Sequence, residues 1–426
     1  MSTKTSTAVF LGLALVFVCM PAIAQSWSAP TTLVSVSGAQ LVYGPSVAIN
    51  AAGEIVASAT VNNQVQVQVQ QNGIWSTPTV LTTASQPYIF SYAAVAPNGD
   101  AVVVWVQGTV SGRQTSLTLQ ASFYTAGAWS AATTLSSPGA FANGAKVVYD
   151  SAGQANVVWA EVDSTRVNCT TFAAIGNSQT GFGKPTPIPG ACASYLQLAA
   201  NQKGEVLALL SYGNGYVVSR NAAGVWGAPV MVAQSGYRPG LQAMALSNQG
   251  TAIVAWEYSA DVWYSRRAKD GSWSAPATLY AGDASGQVAV GMDAKGNAVT
   301  AFSVWNTNRT YGIVYPMKAS RLAAGSNSWS KPTLLTGAAV TVGTYSMAVT
   351  PAGTFLLGWT DGNSSSPKGN VAVSSMAAGT TSWTKSYLGW GYPDISVAAV
   401  PGPAVALWDQ YWANPSTSLY STASVK

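Results

Sequence analysis

Histidine is absent from all 426 residues. That removes Ser-His-Asp and Cys-His nucleophile systems and His-ligated metal centres from consideration. What remains able to do chemistry is a set of aromatic residues interleaved with carboxylates and arginines. They fall in "QPYIFSY", "QSGYRPG" and "GWGYPD", and in "WAEVDSTRV", "WEYSADVWY", "WNTNRTYG" and "WDQYWANP". A sugar ring needs this mixture, because its C–H face stacks on an aromatic plane while its hydroxyls hydrogen-bond to carboxylates and amides. The strongest candidates are Trp390, Tyr392, Asp394, Asp409, Tyr411 and Trp412, where two segments are expected to converge. Tyr237, Arg238, Glu257, Tyr258 and Arg309 extend the set. Alternatively, a carboxylate pair drawn from Glu257, Asp261 and Asp409 could act as acid and base or nucleophile in glycoside hydrolysis. No cofactor and no metal site is expected.

The elements that must position these residues repeat. Aromatic anchors stand at Trp27, Trp75, Trp129, Phe182, Trp226, Trp273, Trp329 and Trp383, often inside a G-x-W-S-x-P pattern such as "DGSWSAP". Turn glycines run in phase with them, at Gly53, Gly99, Gly153, Gly204, Gly250, Gly296, Gly353 and Gly402. Each glycine sits in an apolar hairpin and is expected to take positive φ. The run after it ends, in five of the eight, with tryptophan six residues on. That run is apolar throughout, as a strand buried on both faces must be. The next run alternates, Val65, Val67 and Val69 with Gln66, Gln68 and Gln70, which predicts one wet face. The anchor motif opens a fourth, outer strand, its indole expected to pack against the next unit.

Four antiparallel strands per roughly 50 residues, buried first and wetter last, describe a β-propeller blade. The last hairpin, ending at Trp408, is followed by one strand and no anchor, whereas "WSAPTTL" at 27–33 precedes every hairpin. An all-β propeller of eight four-stranded blades follows, closed by the N-terminal strand completing the last blade. Strand direction then sorts the connections. Tight turns such as "NAAGE" and "DAKG" share one face, where Asn and Asp form turns. The aromatic segments share the other, with Tyr88, Tyr92, Glu161, Asp163 and Arg166 among them.

Charged residues are only 8% of the chain, so hydroxyls and amides must supply solubility. Residues 1–24 read as a signal peptide, with Lys4, an apolar run from Ala8 to Met20 and cleavage after Ala24. Residues 25–426 are then a single propeller domain, secreted or periplasmic and monomeric, without a later membrane span. In that oxidising compartment Cys169 and Cys192 are expected to form a disulfide. The one tight basic group, Arg266, Arg267 and Lys269, reads as a solvated strand and turn and not as a nucleic-acid site.

The G-x-W-S-x-P repeat resembles that of exported bacterial β-propeller repeat proteins, distantly similar to the sialidase and Asp-box propellers. Gly271 precedes Trp273 by two residues where the Asp box has three, and most units lack its aspartate. The resemblance therefore implies architecture. It also implies an alternative, a sialidase-like hydrolase in which Arg166, Arg238 and Arg309 surround a substrate carboxylate. The leading expectation is an exported non-catalytic protein that binds a glycan or an envelope or extracellular protein; a structural scaffold of the envelope is the third.

Overall fold

The computed structural model describes residues 26–425 apart from 38–41, 83–89, 112–113, 164–167, 191, 194, 222, 234–241, 311, 351, 364–365, 392–394, 400–403 and 411–415. At 26, 35–37, 42–43, 109–111, 114–115, 143, 212, 363, 366–368, 391, 409–410 and 416–425 it describes the backbone alone.

Among the described residues all of the elements are strands, and the apolar patterning is realised in them directly. Ile55–Val61 and Ala298–Val304, each following a turn glycine, are buried at every position. Trp105, Trp159, Trp256, Trp359 and Trp408 lie on the equivalent strands and are the largest fully buried side chains. In Gln64–Gln71 the valines are buried as expected, but the opposite face is drier than alternation implies. Gln68 is 7% exposed and donates to the Ser76 carbonyl at 2.9 Å, so the outer strand covers it.

Each sheet runs antiparallel in chain order, from Val42–Ile49 through Ile55–Val61 and Gln64–Gln71 to Ile74–Trp75 in the first. The ten-stranded sheet is two such sets joined by one parallel bridge, Leu117 to Phe141. The first strands of successive sets touch in a circle. Val42–Ile49 meets Phe90–Val95, followed by Phe141–Tyr149, Tyr195–Ala200, Ala243–Leu246, Ala284–Met292, Thr341–Val349 and Ile395–Ala399, which returns to Val42–Ile49. This is a propeller-like ring with the first strands around its axis. The termini close it: Ser26–Trp27 and Thr31–Ser37 both pair antiparallel with Ser416–Val425, Trp27 opposite Ser424 and Thr32 opposite Tyr420.

The anchor indoles pack against the preceding unit and not the next one. Trp129 joins Val65, Val67 and Val69 of the unit before it, and Trp273 joins Leu207, Leu209 and Val217. Register explains the direction. Trp75 lies opposite Gln70 and so shares the glutamine face, whereas the alternate valines point to the following unit.

The tight turns bear out their sequence. Gly53, Gly99, Gly153, Gly204, Gly250, Gly296 and Gly353 have φ between 72° and 93°; Gly402 lies outside the described residues. Three residues before six of these seven glycines a side-chain oxygen caps the turn; before Gly99 stands Ala96, and Asn98 Oδ1 accepts from the Asp100 amide instead. Asn50 Oδ1 accepts from the Ala52 and Glu54 amides, and Asp150 Oδ1 from those of Ala152 and Gln154. Asp270 likewise accepts from the Ser272 amide and hydroxyl, which hold its carboxyl below the ordinary value.

Arg266 and Arg267 are half-buried and bonded to neighbouring units, and not simply solvated. Arg267 Nη1 pairs with Glu205 at 2.7 Å and reaches the Gly250 carbonyl, while Arg266 Nη1 donates to the Ser326 carbonyl of the following unit. They are clamps between units, a role that strand spacing alone does not reveal.

Cys169 and Cys192 form the expected disulfide, tying the first residue of Cys169–Asn177 to the connection that leads into Tyr195–Ala200. Their separation of 23 residues predicts that reduction costs about 3 kcal/mol. Melting with and without reductant tests this; coincident transitions would show that the link carries no stability.

Candidate functional site

The loop-rich face is best described over two neighbouring sets of strands. Ala252–Tyr258 and Asp261–Arg267 meet in a two-residue turn in which Ser259 and Ala260 take φ of 54° and 66°. Glu257 Oε1 caps it by accepting from the Ala260 amide at 3.0 Å. Asp261 Oδ1 accepts from the Gly282 amide at 2.9 Å, and the Ala260 carbonyl accepts from the Ala284 amide. The turn is thereby bonded to the connection 281–283. That connection continues the network: the Tyr280 hydroxyl bonds Asp283, Lys318 Nζ donates to the same hydroxyl at 2.6 Å, and the Asp283 carbonyl accepts from the Trp305 amide.

From this frame project Tyr258, 38% exposed, and Trp305, 48% exposed. Trp305 opens a small hairpin, Asn306–Asn308 with Gly312–Val314, whose other end carries Tyr315, 36% exposed. The Tyr315 carbonyl accepts from the Val342 amide of the following set, and exposed Arg309 sits at the hairpin tip. An indole and two phenols thus stand on a hydrogen-bonded base. Such rings bury sugar C–H surface without first having to be ordered.

Several carboxylates on this face are committed to structure. Glu161, 5% exposed, accepts from the Trp159 indole N–H at 2.7 Å and the Ser137 amide at 2.9 Å. Asp361 accepts from the Trp359 indole and pairs with Lys385 at 2.9 Å. Gln107 serves Trp105 in the same way at 2.9 Å. A Trp-x-[Glu/Asp/Gln] spacing is therefore an indole partner, since a buried N–H left unpaired is costly. Beside Glu161 and Asp163 lies a cavity of about 300 Å³.

Of the residues singled out from sequence, the structure brings Glu257, Tyr258 and Asp261 together, with Arg309 on the adjoining hairpin. Trp390 ends Thr384–Gly391 and is 37% exposed. Tyr88, Arg166, Tyr237, Arg238, Tyr392, Asp394, Tyr411 and Trp412 lie outside the described residues, as does the side chain of Asp409, whose backbone pairs with Leu419. The Trp305, Tyr315, Tyr280, Asp283 and Lys318 group was not anticipated. Its signal was the aromatic and lysine flanks of "WNTNRTYGIVYPMK", a second-to-third connection long enough to fold on itself.

Nearer the axis, the structure joins Tyr92, singled out in the sequence, to Lys146 and Tyr195, which were not. Lys146 Nζ lies 3.6 Å from the centroid of the Tyr92 ring. Burial pushes Lys146 down to about 8 and raises Tyr92, to whose shift nearby Tyr195 adds. The three residues come from successive axis-lining strands. The hint was a lysine inside the otherwise apolar "AKVVY". Below this level Ile49, Val95, Tyr149, Leu246, Met292 and Val349 form an apolar collar, which opens on the tight-turn face as a cavity of about 480 Å³.

No family model matches the chain, and no curated protein matches it. Solved structures do. An ulvan lyase of a new polysaccharide lyase family is similar over 92% of this chain and 95% of its own, with 10% identity and a TM-score of 0.52. The same lyase bound to -[GlcA(1-4)Rha3S]- has the same identity and coverage and a TM-score of 0.51. The Hadza microbial sialidase Hz136 is similar over 87% of this chain and 73% of its own, at 10% identity and a TM-score of 0.40. The likeness at these identities is one of fold, the β-propeller.

Proposed function

We propose that this chain is an exported, non-catalytic carbohydrate-binding protein built on an eight-bladed propeller, with residues 1–24 as its signal peptide and 25–426 as one domain. The observation that carries the reading is the exposed Tyr258, Trp305 and Tyr315 on one hydrogen-bonded frame. Stacking is available there, while Glu257 and Asp261 each spend a carboxylate oxygen on a backbone amide. The circle of first strands supports the blade count, the ten-stranded sheet being taken as two blades. Trp390, Tyr392, Asp394, Asp409, Tyr411 and Trp412 would continue the same binding face, with Tyr237, Arg238 and Arg309 supplying donors.

The test is a glycan-array screen of the purified protein beside its Trp305→Ala/Tyr315→Ala double variant. Losing two stacking rings costs about 2 kcal/mol or more, roughly thirtyfold in affinity. Both side chains are exposed, so the melting temperature should not move. A variant that binds the same glycans equally well would remove this face from the reading. A blank array from the folded protein would turn the search towards protein partners.

A further inference from the structure

Around the axis, strand register defines a tier of equivalent positions. Each is the residue paired with the one that precedes the second-strand tryptophan or its counterpart. Ser46 pairs with Ser58, Tyr92 with Val104, Lys146 with Val158, Gln197 with Leu209, Ser346 with Gly358 and Ser396 with Leu407. The tier lies three residues, about 10 Å of strand, above the apolar collar.

Three of these side chains do one job. Ser46 Oγ accepts from the Ala93 amide, Gln197 Oε1 from that of Met244 and Ser346 Oγ from that of Val397. In each case an acceptor in one unit holds the amide just beyond the tier position in the next. Lys146 cannot join them, because an ammonium offers three donors and no acceptor. Its Nζ is turned instead onto the Tyr92 ring of the preceding unit. Among the described residues no carboxylate lies within ion-pair distance of it. Lys146 is half-buried, and a ring face offsets only part of the cost of drawing its ammonium away from water.

We propose that Lys146 is an anion site at the ring axis that takes the carboxylate of a ligand entering from the loop-rich face. Tyr92 and Tyr195 frame the position, and beyond the ring from Ile49 to Val349 the cavity opens to the tight-turn face, where Asp150 and Asp293 line it. A carboxylate supplies both the missing charge and the acceptors. The site does not depend on the rim aromatics, and it holds whether or not the ligand is a sugar.

The pH behaviour follows from the groups around it. Tyr92 and Tyr195 are raised above 10.0 and stay neutral. Tyr149, on the same strand, is raised by burial, and Glu161 on the adjacent strand is bonded to Trp159. Lys146 alone changes charge between pH 7 and 9. Carboxylate binding therefore weakens roughly tenfold over that interval. Bound carboxylate favours the ammonium and raises its titration midpoint.

The experiment follows the Lys146 side chain by NMR in ¹³C-lysine-labelled protein, titrated from pH 6 to 11 in sodium acetate and in sodium chloride of equal ionic strength. Lys146→Met assigns the signal. The midpoint should stand at least one unit higher in acetate. Acetate binding, read by saturation transfer, should persist in Lys146→Arg and disappear in Lys146→Met. Equal midpoints in the two salts, or equal binding by Lys146→Met with an unchanged melt, would overturn the proposal. Neither result bears on the Trp305/Tyr315 array, so the two readings fail separately.

Discussion

Deleting residues 26–37 lowers the melting temperature by about 6–12 °C. These residues supply both N-terminal strands that pair with Ser416–Val425, leaving it only Ala404–Gln410 as a neighbour. Trp27 packs against the cluster of Leu356, Val371, Val373 and Leu388 in the preceding unit. Leu33, 8% exposed, packs with Val47, Ile55, Val405 and Leu407 where the last unit meets the first. Losing a packed tryptophan and leucine costs roughly 5–10 kcal/mol, and a chain of this size loses about 1.2 °C per kcal/mol. The deletion also exposes the edge of Ser416–Val425 to other chains, so the truncated protein should self-associate. Differential scanning calorimetry with sedimentation reads both effects. A monodisperse truncated protein with an unaltered melt would mean that the ring is held elsewhere. Trp27→Ala in the full chain isolates the side chain and should cost about 3 kcal/mol.

Arg220→Met destabilises the fold by about 3–5 kcal/mol, far more than its counterpart Arg267→Met at about 1 kcal/mol. Arg220 Nη1 pairs with Asp150 Oδ2 at 2.8 Å, and their side chains are 7% and 3% exposed. The bond spans two units, from the end of Asn214–Arg220 to the turn after Phe141–Tyr149. Removing the guanidinium strands a buried carboxylate whose other oxygen already holds the Ala152 and Gln154 amides. Glu205, the partner of Arg267, is 28% exposed and can be rehydrated. The double variant Arg220→Met/Asp150→Asn should recover much of the loss. Asn50 and Asn201 occupy the equivalent turn position and cap it with the same amide acceptances. Chemical denaturation of the two single variants and the double closes the cycle. A cost below 1 kcal/mol for Arg220→Met would show that water reaches the pair.

Each of these predictions combines a local signal with a placement that the local signal does not contain. Asn50 and Gly53, or Asp150 and Gly153, announce a capped turn with positive φ within four residues. The paired cysteines and the missing outer strand after Trp408 were likewise readable, because both concern what the chain contains and lacks. The alternation of Gln64–Gln71 predicted two unlike faces, yet Gln68 proved buried, since the depth of a third strand depends on what the outer strand lays across it.

At the candidate site less was legible. "WAEVD" offers two carboxylates, and only the fold shows Glu161 bound to Trp159 and Ser137. Glu257 and Asp261 were found together, but the Trp305 hairpin beside them was not foreseen. The sequence by itself determined the repeat, the turns, the strand order and the terminal strand that closes the ring, because period-two burial and positive-φ turns act between residues close along the chain. Tertiary structure alone decided that anchor indoles face backwards, that Arg220 and Arg267 clamp neighbouring units, and that Lys146 stands over Tyr92 without a carboxylate partner among the described residues. Those outcomes depend on contacts between groups some 50 to 70 residues apart, where the angle between neighbouring sheets, and no local pattern, selects the partner.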